Sequence, residues 1–92
     1  MANDLNFDLL KRICETPGVA GREDALQKLV RDEMADLVDS ISIDAMGNVV
    51  GVRAGQGGPK VLVMAHMDEI GFLVKHIDDK GFLRLQNVGG FD

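Results

Sequence analysis

A chain of 92 residues with ten Lys and Arg against fifteen Asp and Glu, for a net charge of −5, makes one small acidic unit with a thin core. Its basic residues are scattered among acids, which excludes a nucleic-acid groove and an anionic membrane surface as partners. The single Cys14 excludes an internal disulfide, the N-terminal Met-Ala-Asn-Asp-Leu-Asn has neither the basic start nor the apolar core of a signal peptide, and no apolar run approaches the roughly 20 residues of a membrane span; a soluble cytoplasmic protein is expected.

Leu5, Leu9, Leu10 and Ile13 recur at helical spacing and predict a short amphipathic helix over 5–15, with Asn3 or Asp4 as its N-cap and Pro17-Gly18 as its stop. Cys14 borders that apolar stripe and reads as a small buried hydrophobe, because no Cys or basic residue at a motif spacing supports an activated thiol. Thr16 to Gly21 is turn-rich, and Glu23-Asp24 place negative charge where a second helix begins. Leu26, Leu29, Val30, Met34, Leu37 and Val38 form the apolar stripe of that helix, and its charged residues form a solvated face.

From Ser40 the period changes to two. Ile41 and Ile43 alternate with Ser42 and Asp44, Met46-Gly47-Asn48 turns the chain, and Val49 to Val52 return it as a hairpin. Gly55-Gln56-Gly57-Gly58-Pro59 lacks the lysine and hydroxyl of a phosphate loop and leads into a strand instead of a helix, so it reads as a flexible connection. A second hairpin is expected from Gly71 to Ile77 and Phe82 to Val88, joined through Asp78-Asp79-Lys80-Gly81; His76 within it reads as a surface or packed histidine.

The stretch around which the rest is organised lies between the hairpins. Val61, Leu62, Val63, Met64 and Ala65 form an unbroken apolar run, the signature of a strand buried on both faces, and the run stops on His66 and Asp68. Strand alternation aims residues i and i+2 the same way, and ligands of open α/β sheets bind beyond the carboxyl ends of the strands. On residues alone this His-x-Asp pair is a weak signal, since catalytic zinc takes about three protein ligands. Two helices, two hairpins and one doubly apolar strand also leave a sheet face and edges uncovered, so the chain reads as part of something larger.

Ala65-His66-Met67-Asp68-Glu69-Ile70-Gly71-Phe72, followed by Val74-Lys75-His76-Ile77 and Gly81-Phe82-Leu83, resembles the cocatalytic metallo-aminopeptidases of the glutamyl and tetrahedral aminopeptidase family, some of which are labelled cellulases. Thr16 to Glu23 and Asp44 to Val50 match the same family, so the resemblance covers essentially the whole chain in order. It implies the N-terminal part of a zinc-peptidase-like α/β/α sandwich over residues 1–70, followed over 71–92 by the first hairpin of an inserted small β-barrel domain that mediates oligomerisation. It implies His66 as ligand to one of two divalent metal ions, Zn or Co, and Asp68 as the catalytic aspartate that orients this histidine and tunes its basicity. The bridging aspartate, the glutamate general base, the further carboxylate and the second histidine of the family have no counterpart within these residues. The implied activity is release of N-terminal residues from peptides by a homo-oligomer, with the 92-residue chain inactive alone. The alternatives are a truncated non-catalytic module that pairs through its strands, and another metal-dependent amidohydrolase on the same scaffold.

Overall fold

The computed structural model describes residues 2–92. Two helices, α1 (Ala2–Glu15) and α2 (Asp24–Met34), precede four strands: β1 (Ser40–Ile43), β2 (Val49–Val52), β3 (Gly71–Ile77) and β4 (Leu83–Val88). The result is a mixed arrangement of helix and strand, as the sequence pattern predicts.

α1 reaches back to Ala2, so Asn3 and Asp4 lie inside its first turn and not ahead of it. At its other end the Thr16 hydroxyl donates to the Arg12 carbonyl at 2.6 Å and the Thr16 N–H to the Ile13 carbonyl at 3.2 Å, closing the helix before Pro17. Cys14 is exposed, contrary to the buried position expected for it. α1 meets α2 through an ion pair, Arg12 to Glu33 at 2.6 Å, and its apolar stripe is only partly covered: Leu9 and Ile13 are half-buried and Leu10 is exposed like Cys14.

α2 is the better-seated helix. Leu26 is 2% exposed and is the buried apolar residue among those described. Glu23 makes no side-chain cap; its Oε1 accepts from the Gly21 N–H at 2.9 Å and tightens the preceding turn instead. The helix stops at Met34, short of the full predicted stripe, and Leu37 N–H closes onto the Met34 carbonyl at 2.9 Å. Met34 and Val38 then lie over Gly51, where an added Cβ would overlap the Met34 methyl; the missing side chain is what lets α2 rest on β2.

The two hairpins are antiparallel and use the same turn chemistry. β1 pairs with β2 from Ser40↔Val52 to Ile43↔Val49, and β3 with β4 from Gly71↔Val88 to Ile77↔Leu83, with an irregularity between Val74 and His76 that leaves Lys75 bulged. In the first turn Asp44 Oδ1 accepts from the N–H groups of Met46 and Asn48, both at 2.9 Å, and the Gly47 N–H returns to the Asp44 carbonyl at 3.0 Å. In the second, Asp78 Oδ1 accepts from Lys80 and Phe82, both at 2.9 Å, and the Gly81 N–H returns to the Asp78 carbonyl at 3.0 Å. Gly47 and Gly81 have φ of 86° and 84°, the left-handed conformation this turn requires. Gln27 Nε2 donates to the Gly47 carbonyl at 2.9 Å and ties α2 to the first turn.

The predicted central strand is not formed. Val61, Leu62, Val63 and Met64 have no ladder partner and are 78 to 89% exposed. A strand apolar on both faces forms only when neighbours pair its edges and cover its faces, and each hairpin here satisfies only itself in a separate two-stranded sheet. The pairing this stretch does achieve comes just beyond it, in an isolated parallel bridge between Val19 and Glu69.

Candidate active site

The site lies where the apolar run ends. Met67 is half-buried while His66 and Asp68 on either side of it are exposed. The two outward side chains meet: His66 Nδ1 is 3.0 Å from Asp68 Oδ1 and also 3.0 Å from the Asp68 main-chain oxygen. Both partners are oxygen acceptors, so Nδ1 carries a proton and donates, which in the neutral ring leaves Nε2 with its lone pair. The His66 side chain is 86% exposed and that of Asp68 45%, so Nε2 is open to whatever lies beyond the chain.

The donor set is what decides whether a metal ion fits. An imidazole with Nδ1–H held by a carboxylate and Nε2 free is the arrangement of a metal-ligating histidine and its orienting partner. Among the described residues, however, no group of three or more His, Cys, Asp or Glu is placed to hold an ion. The pair therefore fits one ligand and its support, and the remaining donors of a catalytic centre are not among these residues.

The structure also places residues near this pair that residue types alone do not mark. The Glu69 N–H donates to the Gly18 carbonyl at 2.8 Å, joining the turn before α2 to the residue after Asp68. Val19 packs on Gly71, and an apolar cleft lined by Pro17, Val19, Phe72, Leu73 and Val88, with Arg22 at its edge, opens between this turn and the second hairpin. The cue in the sequence is the glycine pair at Gly18 and Gly71, which permits the close approach, but nothing in spacing says which two segments approach. His76 is exposed in β3 opposite Arg84 and does not join His66 and Asp68. No described helix is long and apolar enough to cross a membrane.

Residues 47–92, half of the chain and including both His66 and Asp68, match the M42 glutamyl aminopeptidase family. The chain is 48% identical over 84 residues to a protein of Acetivibrio thermocellus named an aminopeptidase by inference, covering 91% of this chain and 25% of that protein. Among solved structures it is similar to an aminopeptidase of the archaeon Desulfurococcus kamchatkensis, with a TM-score of 0.83 and 45% identity over 91% of this chain and 24% of the other. It is also similar to a TET aminopeptidase from a marine-sediment thaumarchaeon, with a TM-score of 0.85 and 28% identity over 99% of this chain and 25% of the other. The chain thus spans about a quarter of the length of the relatives it matches.

Proposed function

The chain belongs to the M42 glutamyl aminopeptidase family, and from that premise we propose that the whole protein is a metal-dependent aminopeptidase that releases N-terminal residues from peptides. His66 is then the ligand to one of two divalent ions, Zn or Co, and Asp68 the catalytic aspartate behind it. The observation that carries this reading is the double hold on His66 Nδ1 by the carboxylate and the main-chain oxygen of Asp68, each at 3.0 Å.

Polarisation of the scissile carbonyl and acidification of water are the chemistry such ions supply when bound. What the residues of this chain contribute is preparation. The Asp68 carboxylate fixes the proton on Nδ1 and turns the ring so that Nε2 faces outward as a ligand. Because Asp68 O also accepts, the ring is restrained by two acceptors that share one residue, and a rotation of the imidazole breaks both contacts at once. The further ligands and the general base belong to residues beyond this quarter of the family's length.

The same proposal includes a division at residue 70, with 1–70 belonging to the catalytic domain and 71–92 opening an inserted β-barrel domain. The separation of β1–β2 from β3–β4 into two sheets supports it. A homo-oligomer in the cytoplasm completes the reading, supported by the likeness to a TET aminopeptidase and by the single cysteine. The test is hydrolysis of aminoacyl-p-nitroanilides by the complete protein, measured beside metal content. Activity should vanish with a chelator, return with Zn or Co, and be absent in His66→Ala together with one equivalent of metal. Full metal content and activity in that variant would remove His66 from the site.

A further inference from the structure

We propose that Gly18 is a positioning residue for His66, acting through the peptide unit that joins Asp68 to Glu69; this rests on the reading of His66 as a metal ligand. The two ends of that one peptide unit are occupied in opposite senses. Its N–H, on Glu69, donates to the Gly18 carbonyl at 2.8 Å, and its carbonyl, on Asp68, accepts from His66 Nδ1 at 3.0 Å. The unit is planar and rigid, so the Gly18 carbonyl that fixes the N–H end also fixes where the carbonyl end points. Hydrogen bonds in such a chain polarise one another, so the bond to Gly18 makes the Asp68 oxygen a better acceptor for the imidazole.

Among the described residues, the hydrogen bonds that restrain the ring are the two to Asp68. His66 is 86% exposed, and Val61 to Met64 ahead of it have no sheet to hold them in this structure. The turn that carries Gly18, by contrast, is anchored: Gly18 is buried, and Leu26 beside it is 2% exposed. A Cβ at Gly18 would stand 2.8 Å from Leu26 Cδ2, so a side chain here must displace buried Leu26 or shift the turn whose carbonyl reaches Glu69, whereas its 3.5 Å to the Met67 carbonyl is ordinary contact. On the far side Gly71 does the same for Val19, whose methyl occupies the place a Cβ at Gly71 would take. The Val19–Glu69 bridge is thus closed by a glycine on each of the segments it joins.

The test uses the complete protein, stripped of metal and titrated with zinc alone against a competing chelator, with the thermal midpoint read in parallel. Gly18→Ala should weaken zinc binding about tenfold, the lower end of what loss of a supporting contact does at metal sites. Leu26→Val, which removes the methyl that the new Cβ meets, should keep wild-type affinity alone and restore most of it in the Gly18→Ala/Leu26→Val double variant. Gly71→Ala approaches the same bridge from the strand side and should show a similar loss, relieved by Val19→Ala; this pair decides the matter if Gly18→Ala does not fold. Wild-type zinc affinity in folded Gly71→Ala or Gly18→Ala overturns the proposal, as does a loss in Leu26→Val as large as that in Gly18→Ala, which would mark a general packing effect. His66→Ala sets the scale. If it binds zinc like the wild type, the metal reading itself fails and takes the relay with it; if it loses zinc while the glycine variants do not, only the relay fails.

Discussion

At the scale of single residues, the site separates charge from orientation in a way that mutation can resolve. Asp68 holds His66 through its carboxylate and through its main-chain oxygen, each at 3.0 Å, and only the first is changed by substitution. On the proposed reading of His66 as a metal ligand, Asp68→Asn keeps nearly the same shape and the main-chain hold but removes the negative charge that would strengthen the histidine as a ligand. In the complete protein it should therefore lower aminopeptidase activity by about 10 to 100-fold while most of the metal stays bound. His66→Ala, in contrast, should lose one ion outright. Metal analysis beside kcat for the two variants checks this, and unchanged activity in Asp68→Asn would take Asp68 out of the mechanism. The side-chain half of this site was legible from sequence, because His and Asp two apart at the end of an apolar run aim the same way. The main-chain half was not: a backbone oxygen and the Gly18 carbonyl behind the next peptide carry no residue-type signature.

At the scale of elements, periodicity succeeded wherever a segment satisfies its own backbone. Both helices and both hairpins form, with the ends of the helices shifted by a few residues, since a helix closes its hydrogen bonds internally and a hairpin needs only its own return strand. Val61 to Ala65 did not, because its pattern records sheet neighbours that the described residues do not supply. Cys14 failed for the same reason at a helix. The turns offer the sharpest element-scale test. Gly47, at φ 86°, would place a Cβ 2.6 Å from Gln27 Nε2, so Gly47→Ala combines left-handed strain with loss of the clasp to α2 and should destabilise by about 1 to 2 kcal/mol or more. The neighbouring Asp44 carboxyl is held below its ordinary value of 3.8 by the Asn48 side-chain amide first, and then by the Asn48 and Met46 N–H groups. Since its folded pKa is depressed, the turn gains stability above about pH 4, where an unfolded chain would ionise too, and loses it as pH falls through the folded value. Thermal melts between neutral and strongly acid pH should show this loss in the wild type, and Asp44→Asn should flatten the turn's share of it; an unaltered acid limb would mean that the turn is not coupled to folding.

At the scale of the whole molecule, surface area is the governing quantity. The chain exposes 8249 Å², where a folded protein of its mass exposes about 5,200 Å², and its radius of gyration is 17.7 Å against about 12 Å for a compact domain of this length. The excess is apolar in the places that matter: Val61 to Met64, and Phe72, Leu73, Val74, Ile77, Leu83 and Leu85 along the second hairpin. The first consequence is catalytic. With no group of three metal-capable side chains among the described residues, the 92-residue chain alone should leave aminoacyl-p-nitroanilides unhydrolysed, and chelator-sensitive turnover that depends on His66 would contradict this. The second is physical. Apolar surface on this scale, beside the open edges of two two-stranded sheets, gives the isolated chain a choice between marginal folding and self-association. Its net charge of −5 opposes close approach only over about 8 Å at physiological ionic strength, so added salt should strengthen association. The pairing should be irregular, because unpaired edges and an uncovered apolar segment define no single symmetric contact. Sedimentation and light scattering over a concentration series should therefore show a mass distribution that broadens as concentration rises, with a shallow melt at the dilute end. A monodisperse monomer with one sharp cooperative melt at every concentration would show that these residues bury far more of Val61 to Met64 in solution than their pairing allows.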